Sequence, residues 1–174
     1  MKKIFSFTVG FVFSPDLETV MLIEKDTSDK PSQKWQDGLL NGVGGKIENG
    51  ESAKECMIRE CHEEFGVYIE NWYELGNIIY RKGVVSDDDD NLISLHVYRT
   101  VVDYDTFYSI HQTGREKPVP VKLTELLDRT VRVVPNLEWI IPAARYENFL
   151  GNLSIELPND VNEPFLKKYV PKNL

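Results

Sequence analysis

The sequence predicts one α/β domain, a mixed-sheet α/β/α sandwich, and three observations carry that expectation. Residues 4–23 hold two strand-like segments in hairpin spacing, residues 53–65 carry one strongly signalled amphipathic helix, and further strands precede a late helix. Elements in that order favour helices on both faces of a mixed sheet. The length of 174 residues suits one core with modest extensions.

Residues 4–13 are rich in aromatic and β-branched side chains and end at the turn signal Ser14-Pro15-Asp16. Residues 19–23 read as the return strand of a hairpin. Residues 26–38 are polar, include Pro31 and Gly38, and read as a loop. Residues 39–47 form a short strand pair interrupted by glycines, a pattern that marks close backbone approach. After the Asn49-Gly50 turn, Ser52 and Glu55 make a capping box for a helix over residues 53–65, which Gly66 stops. Residues 73–81 and 92–102 read as long strands joined around a solvated run, Asp87 to Asp90. Residues 118–122 read as a short strand, and Asn136 opens a second helix reaching about residue 149. The tail from Gly151, with Pro158, Pro164 and Pro171, reads as irregular. The expected division is therefore a domain over residues 1–150 and an extension over residues 151–174, packed on it or trailing from it.

Composition narrows the function. A formal net charge of −8 and a pI near 4.9 argue against stable binding of long nucleic acids. A small anionic substrate remains compatible, because a bound cation reverses the local field. The two cysteines, Cys56 and Cys61, fall on one helix without histidine partners, which argues against a disulfide framework or a zinc site. The opening Met1-Lys2-Lys3 mimics the head of a signal peptide, but the apolar run that follows is broken by Ser6, Thr8 and Gly10. A first strand, a cytoplasmic setting and no membrane partner are the expectations.

The chemistry concentrates in residues 45–67. Glu60, Glu63 and Glu64 stand at i, i+3 and i+4 and share one helix face, while Ile58, Cys61 and Phe65 form an expected buried stripe on the other. Like charges at that spacing repel, and a hard divalent cation with oxygen ligands offsets the repulsion. Glu51, in the preceding turn, is placed to pair with Arg59. A bare acidic helix is more often a solvated face. The residues around this one decide otherwise.

Gly45, Glu51, Arg59, Glu60, Glu63, Glu64 and Gly66 match every fixed position of the Nudix box, with Cys61 and Val67 in its aliphatic slots. Seven such identities coincide by chance on the order of once in a hundred million. The chain thus resembles the Nudix hydrolase family. The segments around Leu40-Asn41-Gly42 and Trp139-Ile140-Ile141-Pro142 look like its MutT-like branch. The resemblance implies the Nudix-type α/β/α sandwich and hydrolysis of a nucleoside diphosphate linked to another moiety, by attack of a metal-activated water on phosphorus.

It also implies site roles. Glu60, Glu63, Glu64 and the Gly45 carbonyl would hold Mg²⁺ or Mn²⁺, and Glu51 and Arg59 would form an orienting pair. Glu60 or Glu64 could serve as general base. Glu116, with Glu125 as the other candidate, sits where relatives place a further metal-binding or basic carboxylate. Asn41 matches a position that contacts the base, and its other reading is a strand residue satisfying backbone groups. Lys25, Lys46 and Arg81 are candidates for phosphate contact, with Lys46 carried as the substrate-binding one. Trp35, Phe7, Trp139 and Tyr80 read as core rather than as stacking platforms. His62, His96 and His111 show no ligand pattern.

The implied substrate is a small nucleotide, either a (deoxy)nucleoside triphosphate or an oxidised nucleotide. ADP-ribose or a dinucleotide polyphosphate is the alternative, and a nucleotide sensor without turnover is the third reading. The chain is expected to act as a monomer or homodimer.

Overall fold

Near-continuous apolar runs are what strands need when both faces of a sheet are covered. β1 (Ile4–Phe13), buried from Thr8 onward, is such a strand and lies inside the sheet. In the computed structural model, which describes residues 4–29, 31–81, 92–146 and 151–156, it pairs antiparallel with β2 (Thr19–Glu24) and parallel with β5 (Leu92–Val101). The Ser14–Asp16 turn closes the first pair as expected, with the Ser14 hydroxyl donating to the Asp16 carboxylate at 2.6 Å.

β4 (Tyr73–Arg81) runs antiparallel beside β5, and β6 (Lys117–Lys122) runs antiparallel along the whole of β2. β3 (Leu40–Asn41) pairs with the end of β2. With β7 (Gly151–Glu156), which lies parallel to β4, the described residues form a seven-stranded mixed sheet.

Alternation along the strands then sorts two cores. Phe11, Phe13, Val20 and Leu22 face α4 (Leu137–Arg145), which buries Leu137, Ile140, Ile141 and Ala144 against them. Val12, Met21 and Ile23 face α1 (Ala53–Phe65), which contributes Met57, Cys61 and Phe65. Burying each large side chain contributes about 1.5–3 kcal/mol, so the sheet is held from both sides. This is the expected α/β/α sandwich.

Several local expectations are corrected. Residues 39–47 do not form a strand pair. After β3 the chain makes only single bridges from Val43 to Gly10 and from Lys46 to Phe7. The 26–38 loop contains a 3₁₀ turn, Pro31–Gln36. Two short helices, α2 (Tyr104–Ser109) and α3 (Leu123–Leu127), arise where none was expected. Residues 151–156 are strand rather than irregular chain. The Asp87–Asp90 run, the expected end of the late helix at residues 147–150 and the tail beyond residue 156 lie outside the described residues.

Among the four aromatics read as core, Tyr80 is buried and Phe7 is half-buried, but Trp35 is 49% and Trp139 39% exposed. Trp35 sits on the 3₁₀ turn. Trp139 lies two residues from Leu137, roughly 200° around a helix whose other side is the buried one.

α1 ends at Gly66, whose φ of 70° is left-handed. A Cβ at that position would lie 2.3 Å from the His111 ring. Gly66→Ala is therefore expected to cost at least about 1 kcal/mol, read as a lower urea midpoint. An unchanged midpoint would show that the 110–114 segment yields freely.

Candidate active site

α1 is fixed at its start by the capping box: the Ser52 hydroxyl accepts from the Glu55 N–H at 3.2 Å, and the Glu55 carboxylate accepts from the Ser52 N–H at 2.7 Å. Its buried stripe keeps two of the three expected residues, Cys61 and Phe65, with Met57 in place of Ile58. Met57, Cys61 and Phe65 are fully buried, whereas Ile58 is half-buried. At 100° per residue, Ile58 and Glu64 stand on opposite flanks of that stripe, each roughly 60° from its centre. The three carboxylates lie on one side of the helix, within an arc of roughly 100°, but are not equally solvated. Glu64 and Glu60 have side chains only 18% and 14% exposed, while Glu63 is 57% exposed.

Arg59 organises the solvent side of this edge. Its Nε and Nη2 donate to the two Glu51 oxygens at 3.1 and 2.7 Å, a bidentate fork. Its Nη1 donates to Glu60 at 2.8 Å and to Glu63 at 3.1 Å, and Nη2 also reaches the Lys46 carbonyl at 3.3 Å. Glu51 in turn accepts from the Glu48 N–H at 2.8 Å. The expected Glu51–Arg59 pair forms, and it ties the loop before α1 to the middle of the helix.

The Gly45 loop closes on the same edge. The Gly44 N–H donates to Glu64 at 3.0 Å, and a Cβ on Gly45 would lie 2.2 Å from a Glu60 carboxylate oxygen. The Gly45 carbonyl accepts the Thr8 N–H at 2.8 Å and, at the 4.0 Å reach of sulfur, the Cys56 thiol.

Sheet register brings in the remaining groups. Antiparallel pairing sets Glu24 of β2 opposite Lys117 of β6, so Lys25 and Glu116 meet one step beyond. Lys25 Nζ donates to Glu116 at 2.7 Å and lies 3.6 Å from Glu64. Glu125, the other candidate, caps the start of α3 by accepting from the Lys122 N–H at 2.7 Å, at the far end of β6 and roughly 17 Å along the strand. The structure thus places Glu116, and not Glu125, beside Glu64.

Sequence reasoning passed over a strap formed by residues 110–114. The His111 N–H donates to the Phe65 carbonyl at 3.1 Å, and the Thr113 hydroxyl donates to the Glu63 carbonyl. These bonds satisfy two of the last carbonyls of α1 and lead the chain directly to Arg115 and Glu116. Lys25 was also not singled out; the register of β2 with β6 is the signal that finds it.

Of the substrate candidates, Asn41 is half-buried and its side-chain oxygen accepts from the Gly42 N–H at 2.9 Å, and Lys46 is exposed at the loop. The Arg81 side chain lies outside the described residues. A cleft of about 290 Å³ adjoins the carboxylates through Lys25 and is lined also by Arg115, Lys117, Asp26 and Asp37.

Burial pushes the proton affinity of Glu60 up despite the Arg59 bond, and burial pushes Glu64 up against the opposing pull of Lys25 and the Gly44 N–H. Burial raises the Cys56 thiol to about 11 and the Cys61 thiol to about 12, so neither is a nucleophile at neutral pH. The donor set is all oxygen and rich in carboxylate, which fits a hard divalent cation. As the side chains stand, no three acidic, histidine or cysteine groups among the described residues close on one point. Arg59 holds one oxygen each of Glu60 and Glu63, and Lys25 one each of Glu64 and Glu116, so a cation entering among them competes with those ion pairs.

The Arg59 hydrogen bonds hold the Glu51 carboxyl at about 2, below its ordinary 4.5. A depressed carboxylate contributes stability above its unfolded value and loses it as pH falls through the folded one. The gap in thermal midpoint between wild type and Glu51→Gln is therefore expected to narrow from pH 4.5 down to about 2. A gap constant over that window would mean that the fork contributes no stability.

Residues 6–135 match the NUDIX domain. The chain is 31% identical over 62 residues to the oxidized purine nucleoside triphosphate hydrolase of Danio rerio, covering 36% of this chain and 37% of that protein. It is 21% identical over 138 residues to the ADP-ribose pyrophosphatase of Haemophilus influenzae, covering 74% and 63%. The crystal structure of the MutT protein of Bacillus halodurans superposes with a TM-score of 0.62 at 19% identity, covering 87% of this chain and 90% of that one. The match to these two curated relatives spans between 37% and 63% of their length. With a domain match over most of its length, a complete box on α1 and the sandwich fold around it, the chain belongs to the NUDIX-domain family.

Proposed function

We propose that this chain is a Mg²⁺-dependent pyrophosphohydrolase acting on a nucleoside diphosphate derivative, with (deoxy)nucleoside triphosphates or their oxidised forms as the leading substrates. One observation carries this reading: Glu60 and Glu64, half-buried on the edge of α1, lie against the Gly45 loop, and Glu116, just before β6, is joined to Glu64 through Lys25. Glu60, Glu63, Glu64 and the Gly45 carbonyl would hold the cation, with Glu116 completing the set, and Mn²⁺ would serve in place of Mg²⁺. When bound, the cation would lower the pKa of a coordinated water and neutralise charge on the phosphate oxygens. Glu51 and Arg59 fix the helix against the loop, so the backbone that carries the carboxylates is set in place beforehand. Asn41 and Lys46, on the two sides of the Gly45 loop, would contact base and phosphate.

The general base is one of Glu60, Glu64 and Glu116. The glutamine variants separate them: the base is the position where kcat falls by about 10²–10⁴ with little change in cation affinity. A ligand loses affinity as well as rate. ADP-ribose is the second substrate reading, favoured by the relative that spans 74% of this chain. A sensor without turnover is disfavoured because all box carboxylates are present.

The deciding experiment follows phosphate and pyrophosphate release with Mg²⁺ across nucleoside triphosphates, oxidised nucleotides, ADP-ribose and dinucleotide polyphosphates, with Glu64→Gln as control. Pyrophosphate release from triphosphates, lost in the variant, is the expected result. Turnover of ADP-ribose alone would move the substrate class, and absence of turnover with every compound would overturn the enzymatic reading.

A further inference from the structure

The carboxylate cluster contains two cations of different character. Arg59 is held by the Glu51 fork and the Lys46 carbonyl, groups outside the proposed ligand set, and it stays fixed whatever Glu60 does. Among the described residues, Lys25 is held through its ammonium by Glu116 at 2.7 Å and Glu64 at 3.6 Å, and both are proposed ligands. Its backbone is pinned on both sides, with the Lys25 N–H donating to the Leu39 carbonyl at 3.0 Å and the Gly38 N–H donating to the Lys25 carbonyl at 2.9 Å. The only freedom left is that of a four-carbon stem carrying a point charge. Lys25 also lines the 290 Å³ cleft together with Arg115, Lys117, Asp26 and Asp37, so space for the ammonium adjoins the place it holds.

We propose that Lys25 is a resident counter-ion of this site: its ammonium bridges Glu64 and Glu116 when no divalent cation is bound and swings into the adjoining cleft when one is. The inference rests on the hydrolase reading for the cation itself, and it assigns to Lys25 a positioning role. Two consequences follow from electrostatics. Removing Lys25 removes both a competitor for two ligands and a like charge close to the ion, so cation affinity rises. Expelling Lys25 adds a positive charge to the cleft, so the cation prepares the cleft for an anionic group.

The test uses the full chain without nucleotide. Mn²⁺ affinity, read by electron paramagnetic resonance of free ion, is expected to be about fivefold or more tighter in Lys25→Met than in wild type. Because the variant could fail to fold, the second readout is on wild type: acetylation of Lys25 by acetic anhydride, followed by mass spectrometry with and without Mn²⁺. Labelling of Lys25 is expected to rise with Mn²⁺ while that of the exposed Lys46 stays level. If wild type binds Mn²⁺ with Lys25 labelling unchanged or lowered, the counter-ion role is overturned and the hydrolase reading stands. If neither protein binds Mn²⁺, both are overturned.

Discussion

Carboxylates crowded on the half-buried edge of a helix are the constraint around which the rest of the structure is arranged. Glu60 and Glu64 are withdrawn from water and lie close to Glu51, Glu63 and Glu116. Burial alone would drive protons onto them, and the direction of their shifts shows that it begins to. They are kept together by a helix whose start is capped, whose end is strapped and whose Met57, Cys61 and Phe65 are locked in the core. A helix free to tilt would relieve the crowding and lose the site with it.

The sheet performs the same service for groups far away in sequence. β1 bonds the Gly45 loop through the Thr8 N–H, which sets Gly44 against Glu64 and Gly45 against Glu60. β2 and β6 bring Lys25 to Glu116 across 91 residues of chain. The strap over residues 110–114 links the end of α1 to the start of β6, so a change at the helix terminus reaches Glu116 through a short, bonded path. Positions in the site are thus set by strand register and helix caps, both rigid features, rather than by the loops that carry the side chains.

Local patterns explain which parts of this were readable in advance. The capping box, the Gly66 stop and the first hairpin depend on residues a few positions apart, and the sequence predicts each of them correctly. On the buried face of α1, Cys61 and Phe65 are as predicted and Met57 stands in for Ile58, because periodicity locates a stripe only to within a side chain. Ile58 and Met57 are both apolar, and the sheet decides which is buried. β7 was missed although Gly151 to Glu156 alternates apolar and polar residues, because the prolines beyond it suggest irregular chain. The ion pairs of Lys25, itself a candidate for phosphate contact, and the strap were not legible for a deeper reason. Their partners are 39 to 91 residues away, and nothing local encodes a pairing between β2 and β6. Trp35 was misjudged because size was taken for burial, although amphipathic aromatics on short turns often stay wet.

Charge in the cleft connects site to substrate class. While Lys25 is held by Glu64 and Glu116, Arg115 and Lys117 face Glu24, Asp26 and Asp37, so acidic groups predominate in the lining. Such a lining repels a polyphosphate. Once a divalent cation displaces the Lys25 ammonium, basic and acidic groups in the lining are balanced, and the ion itself adds local positive charge. An anion then meets a site that is attractive only in the loaded state. The same linkage run backwards means that a bound phosphate holds Lys25 in the cleft and so strengthens retention of the cation. On the proposed displacement of Lys25, the more negative the ligand, the larger this coupling.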